Sequence, residues 1–180
     1  MPYCFGSCGL PLAPLRVVDA EERDLPPGAV GEIVLQGPHV MRGYFNQPEA
    51  TAQAMRGGWF HSGDLGLIDA DGFVHVVGRA SEMIIRGGEN VYPREIEEAL
   101  LAHPAVAEAA VVGVPDALYG EVVGAYLVAR PGATLDAADV ARWCAARLAD
   151  FKRPVHVTVV PELPKGATGK VLKSALRARP

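Results

Sequence analysis

No apolar run in the chain approaches the roughly 18 residues that a membrane helix needs, so no transmembrane span is read. The opening MPYCFGSCG lacks a basic stretch followed by an apolar one, so no signal peptide is expected and the cytosol is the expected location. There are only three cysteines, Cys4, Cys8 and Cys144, without CxxC spacing, which supports neither a disulfide scaffold nor a zinc cluster. HExxH, the EF-hand loop, GxGxxG and GxSxG are all missing. His39, His61, His75, His103 and His156 are scattered without ligand spacing, so no metal site is expected. Gly166-x-x-Gly169-Lys170 has the tail of a phosphate-cradling loop but not its head. Pro164 stands where the leading glycine belongs, and Val171 where the Ser/Thr belongs.

Lysine is absent before Lys152. All four lysines (Lys152, Lys165, Lys170, Lys173) fall in the last stretch. The formal net charge of −4 therefore hides an uneven distribution: residues 1–79 carry −4, residues 80–149 carry −5 and residues 150–180 carry +5. A basic segment on an acidic body fits either an anionic partner such as phosphate or a solvated tail, and charge alone leaves both open. It does not call for nucleic acid.

What is present is the composition of a globular protein, with 49% hydrophobic and 21% charged residues over 180 positions. Twenty glycines and 15 prolines predict many turns and short elements. LRVVDA (15–20), GEIVLQG (31–37) and the hairpin GLIDADGFVHVVG (66–78) read as strands, with a short helix from Gln47 to Arg56 between the last two. After Arg79 the pattern is a hairpin with Gly87-Gly88 at its tip and a helix opened by Pro93. Strands follow at 106–114 and 121–129, then a helix capped by Asp136 and running to Leu148, a strand at 155–163 and a terminal helix at 171–177. The expected class is α+β. A small barrel-like β region (1–79) precedes a compact α+β domain (80–180) with a hairpin, about three further strands and flanking helices.

Four segments stand in order: GEIVLQGPHVMRGYFNQPEAT (31–51), GWFHSGDLG (58–66), GRASEMIIRGGENVYPREIE (78–97) and PKGATGK (164–170). Together they resemble the C-terminal portion of the adenylate-forming (AMP-binding) enzymes, in the acyl-CoA synthetase and aryl-CoA ligase branch. The resemblance runs from Gly6 to Leu176.

It implies a two-step reaction. A carboxylate attacks the α-phosphate of ATP, giving acyl-AMP and pyrophosphate; the thiol of coenzyme A then displaces AMP. It also implies a small C-terminal domain that rotates against a large N-terminal one between the steps, with Mg²⁺ accompanying the ATP phosphates. Asp64 is then the acceptor for the ribose hydroxyls, Arg79 a nucleotide contact at the domain boundary, and Ser81 the hinge, where the family usually carries Asp or Lys. Lys170 is the lysine of the adenylation step. Gly87 and Gly88 belong to the segment that admits the pantetheine arm, and Tyr119, Phe151 and Arg153 to the coenzyme A contacts.

The family's phosphate loop, its AMP-gripping strand and its acyl pocket belong to the large domain and do not occur here. The expectation is a fragment of a carboxylate–CoA ligase that needs the large domain as partner and is inactive alone. Two alternatives are a non-catalytic module binding coenzyme A, a nucleotide or a partner, and the tail of a peptide-synthetase adenylation domain. Against the latter stand the wording GGENVYPREIE and the absence of a carrier-like sequence after Pro180.

Overall fold

The computed structural model describes residues 6–177; Cys4 lies outside them. Two compact units part between Ser81 and Glu82.

The first unit is an antiparallel meander of four strands, β1 (Leu15–Val18), β2 (Gly31–Leu35), β3 (Phe60–Ile68) and β4 (Val74–Arg79), paired in that order. Alternating apolar residues put Val17, Ile33 and Val74 on one face, where Leu15, Leu35, Ile68 and Val76 pack around them. Pro48 presets the first turn of helix α1 (Pro48–Ala54), which bridges β2 and β3. The sheet is open, with β1 and β4 at its edges, rather than closed into a barrel. Four strands of four to nine residues are too few to complete a cylinder.

The second unit is a five-stranded sheet with two helices on one face and a short third helix on the other. Strands β5 (Ile84–Arg86) and β6 (Glu89–Val91) form the expected hairpin, and Pro93 opens α2 (Pro93–Leu101). Long strands β7 (Val106–Asp116) and β8 (Gly120–Ala129) pair antiparallel throughout. Helix α3 (Ala137–Ala145) is capped by Asp136, whose carboxylate accepts from the Ala138 N–H. Strand β9 (His156–Val159) and the short helix α4 (Lys173–Arg177) complete the unit.

The order is β6-β5-β8-β7, and β9 pairs parallel with β8 beside β5. The hairpin is therefore part of the main sheet, through Arg86 opposite Gly120. The last strand is shorter than its apolar run suggests, because Pro161 and Pro164 lack the N–H that a ladder needs. Its parallel pairing is invisible to a pattern that reports only alternation.

Alternation along β7 and β8 feeds two cores. Val111, Val123 and Leu127 pack beneath Ile96 and Leu100 of α2 and Val140 and Cys144 of α3. Ala110, Val112 and Tyr126 face the other way and are covered by Val160, Leu163 and Leu176. Burying Ile96 and Leu100 completely contributes about 1.5–3 kcal/mol each. His103 is buried as a clasp between the helices: its ring lies edge-on to Trp143 at 4.9 Å and bonds Asp139 at 3.2 Å.

Candidate functional site

The HSGD segment lies inside β3, where strand pairing with β2 is interrupted. Val34 pairs with His61 and Glu32 with Leu65, so Ser62–Asp64 bulge out opposite Ile33. Gly63 makes this bulge with φ +70°, a conformation glycine adopts without penalty. Side chains secure it. Ser62 Oγ donates to the Ile33 carbonyl at 2.7 Å and accepts from the Asp64 N–H at 3.0 Å. Glu32 reaches across from β2, accepting from the Gly63 N–H at 3.2 Å and contacting His61 Nδ1 at 2.8 Å. The result aims Asp64 at Arg79, its partner in the β3–β4 register. The guanidinium Nε lies 2.9 Å from Asp64 Oδ1. The two residues singled out for the nucleotide thus sit side by side, both with solvent access.

In the second unit, Arg86, Gly87, Glu89, Tyr119, Asp150 and Phe151 line an open cavity of 290 Å³. It is built by the β5–β6 tip, the β7–β8 turn and the short turn Asp150–Lys152. Gly87 takes φ +58°, and a Cβ there would stand 3.2 Å from the Tyr119 ring. Its N–H donates to the Tyr119 carbonyl at 2.9 Å. Asp116 fixes the turn that carries Tyr119, accepting from the N–H groups of Leu118 and Tyr119, both at 2.9 Å. These bonds, that from Tyr119 foremost, hold the Asp116 carboxyl below its ordinary value.

Of the five residues expected around the thiol cofactor, Gly87, Tyr119 and Phe151 line this cavity, and Gly88 follows at the hairpin tip. Arg153 does not. Its Nε and Nη2 donate to the carbonyls of Leu148 and Ala145 at 3.0 and 3.1 Å, closing the C-terminal end of α3, and its Nη1 pairs with Asp150. The sequence shows an arginine in a basic segment but not that the helix end already claims its donors.

The cation that lines the cavity is Arg86. Its Nη1 donates to the carbonyls of Phe151 and Asp150 at 2.8 and 3.1 Å, and its guanidinium carbon lies 5.1 Å from the Tyr119 ring centre. Its position directly before Gly87-Gly88 is the signal that could have marked it.

Lys170 sits in a tight loop closed by an antiparallel bridge between Lys165 and Val171. The Gly169 N–H donates to the Gly166 carbonyl at 2.9 Å and the Gly166 N–H to the Lys170 carbonyl at 2.8 Å, with Gly169 at φ +78°. The side chain is exposed. Lys152, Lys165 and Lys173 are each paired with a carboxylate, whereas Lys170 forms no ion pair among the described residues. An ammonium carried on a rigid loop and left uncompensated is suited to meeting an anion from outside. Ser81, expected as a hinge, lies exposed on the turn Ala80–Glu82 at the break between the units.

Known proteins resemble this chain over nearly all of its length. The model for the AMP-binding enzyme C-terminal domain matches residues 95–170, and that for the AMP-binding enzyme matches residues 2–45. Feruloyl-CoA synthase of Amycolatopsis sp is 46% identical over 97% of this chain and 36% of its own length. The 2-succinylbenzoate–CoA ligase of Geobacillus kaustophilus is 46% identical over 96% of this chain and 35% of its own. Among solved structures, ATP-bound MatB from Rhodopseudomonas palustris superposes with a TM-score of 0.89 at 44% identity, over 96% of this chain and 35% of that one. The o-succinylbenzoate CoA synthetase of Bacillus subtilis, in complex with its acyl-adenylate, gives 0.91 at 40% identity, over 97% and 36%. The chain thus spans about a third of the length of the relatives it matches.

Proposed function

We propose that this chain, which belongs to the AMP-binding (adenylate-forming) enzymes, supplies the C-terminal portion of an ATP-dependent carboxylate–CoA ligase. The observation that carries this reading is Lys170, the lysine with no carboxylate partner among the described residues, presented on a hydrogen-bonded loop. In the adenylation step its ammonium bridges the attacking carboxylate and the α-phosphate, offsetting the charge that builds as the new O–P bond forms and pyrophosphate leaves. Asp64 accepts from the ribose hydroxyls with the oxygen that Arg79 leaves open, and Arg79 stays beside the nucleotide. Ser81 is the hinge about which the second unit turns. In the thioester step the backbone at Gly87 and Gly88 lines the path of the thiol arm. Arg86, Tyr119 and Phe151 offer one cation and two aromatic faces to the coenzyme A nucleotide, a set whose chemistry fits a phosphorylated adenosine.

Mg²⁺ enters with the ATP phosphates. Among the described residues no group of three His, Cys, Asp or Glu side chains is placed to hold a metal ion. The substrate is a small-molecule carboxylate, and the partner is the large adenylating domain that the relatives carry over the rest of their length. No helix among the described residues is long and apolar enough to cross a membrane, and the proposed location is the cytosol.

The test is ATP–pyrophosphate exchange over fatty, aryl and short-chain acids, with the chain alone and with a large adenylating domain in trans. No exchange alone, exchange on complementation and its loss in Lys170→Ala are expected. Exchange by the chain alone would overturn the half-site reading. A second reading, a non-catalytic module that binds coenzyme A, rests on the cavity at Arg86 and Tyr119, which lies wholly within the second unit. Calorimetric binding of coenzyme A without exchange on complementation would favour it.

A further inference from the structure

Lys173 lies three residues beyond Lys170, and its ammonium is turned inward, with only 17% of the side chain exposed. It donates to Glu82 at 2.6 Å and pairs with Glu97 at 2.8 Å. Glu97, itself 19% exposed, also accepts from the Val111 N–H of β7 at 2.8 Å. Glu82 is the first residue of the second unit, adjacent to Ser81. One cation therefore joins segments 91 residues apart: the foot of the Lys170 loop and the point where the chain enters the unit. The loop above this foot is stiff. The Leu172 N–H donates to the Pro164 carbonyl at 2.7 Å, and Lys165 pairs with Glu108 of β7 at 2.7 Å. The ammonium, largely withdrawn from water and shared by two carboxylates, is less screened than an exposed one, while Glu82 keeps 35% of its side chain exposed.

We infer that Lys173 is a positioning residue that acts through Lys170, fixing the Lys170 loop to the segment at Glu82 so that the two move as one piece. The inference rests on the proposed role of Lys170 for its catalytic consequence, whereas the coupling itself is a property of this chain. A loop merely packed on the sheet would leave the entry segment indifferent to its state; this one does not.

Hydrogen–deuterium exchange tests the coupling without any chemistry. Lys173→Met, Lys173→Arg, Glu82→Gln and the Lys173→Met/Glu82→Gln double variant are compared over residues 164–172 and 82–86. Lys173→Met and Glu82→Gln are each expected to speed exchange in both segments by about tenfold, with β7 and β8 unchanged. Lys173→Arg should restore protection in both, and the double variant should add nothing to Lys173→Met. Opening of one segment alone, additive effects, or uniform loss across the unit would overturn the coupling.

With the large domain in trans, Lys173→Met should lower the kcat of ATP–pyrophosphate exchange about tenfold and leave the KM for ATP within twofold. An unchanged kcat in a chain whose loop has loosened would overturn the positioning role. Lys170→Ala separates the two readings: it should abolish exchange activity and leave both segments protected. If it stays active, the role given to Lys170 fails while the coupling stands.

Discussion

Asp64 and Arg79 face each other across the β3–β4 ladder, with Nε 2.9 Å from Oδ1, at the last pairing before the chain leaves the first unit. An exposed pair of this kind contributes only about 0.2–1 kcal/mol to stability. The bulge, the positive φ at Gly63 and the Glu32 and Ser62 hydrogen bonds that present Asp64 are far more elaborate than so weak a contact requires. The bonds at the bulge hold the Asp64 backbone in one orientation, with its carboxylate partly exposed.

Asp64→Ala should accordingly leave the melting temperature nearly unchanged while weakening AMP binding, measured by calorimetry on the complemented enzyme. The expected loss is about 10- to 100-fold, the value of a charge-assisted hydrogen bond. Equal affinity in the variant would reduce Asp64 to a surface ion-pair partner.

Lys170→Ala should lower ATP–pyrophosphate exchange by at least about a hundredfold, the scale of losing a charge aimed at the transition state. Thioester formation from supplied acyl-adenylate should persist. Circular dichroism should show no change, because the side chain is exposed and carries no ion pair among the described residues.

Arg86→Ala and Arg153→Ala should differ in coenzyme A binding. Arg86→Ala is expected to weaken it about tenfold, because it removes the cation of the cavity, and also to cost stability, because the Phe151 and Asp150 carbonyls lose its Nη1 donor. Arg153→Ala should cost about 2 kcal/mol of stability, from the two carbonyls it leaves without a donor at the end of α3, with coenzyme A affinity retained. Denaturant titration beside calorimetry reads both.

Gly87→Ala should destabilise the second unit by roughly 1–2 kcal/mol, because φ +58° is unfavourable for a residue with a Cβ. The added methyl also meets the Tyr119 ring, so the thioester step should slow more than adenylation.

Asp116 gives a pH dependence. Its carboxyl is held below the ordinary 3.8 by the Tyr119 and Leu118 N–H groups. A group whose folded value is depressed contributes stability that is present above the unfolded value and is lost as pH falls through the folded one. Between neutral pH and about pH 3, wild type should therefore lose more stability than Asp116→Asn, which cannot titrate. Equal losses in thermal melts across that range would refute the assignment.

Much of this was legible in the residues. The Pro-opened helices, the Asp136 cap and the two-residue Gly87-Gly88 tip all follow from local rules, and the α+β class follows from their order. Three things were not legible, each for a physical reason. The parallel pairing of β9 leaves no trace in alternation. The HSGD bulge within β3 depends on a shift in the β2–β3 register, which residue types alone do not show. That Arg86 lines the cavity while Arg153 is turned to the end of α3 depends on which carbonyls lie within reach, which is a tertiary fact. Lys173 escaped for the same reason: in a run of basic residues nothing distinguishes the lysine turned inward from the one turned out.

Tyr126, in the middle of β8, donates from its hydroxyl to the Leu176 carbonyl at 3.1 Å, and the Leu176 side chain is sealed against Ala110 and Val112. On the ribosome, β7 and β8 can pair and dock α2 and α3 while their other face is still bare. Val160 and Leu163 cover part of that face, and its covering is complete only once α4 has been synthesised. The segment that closes it also carries Lys170, so the nascent chain sets the Lys170 loop in place only as the last of this face is withdrawn from water.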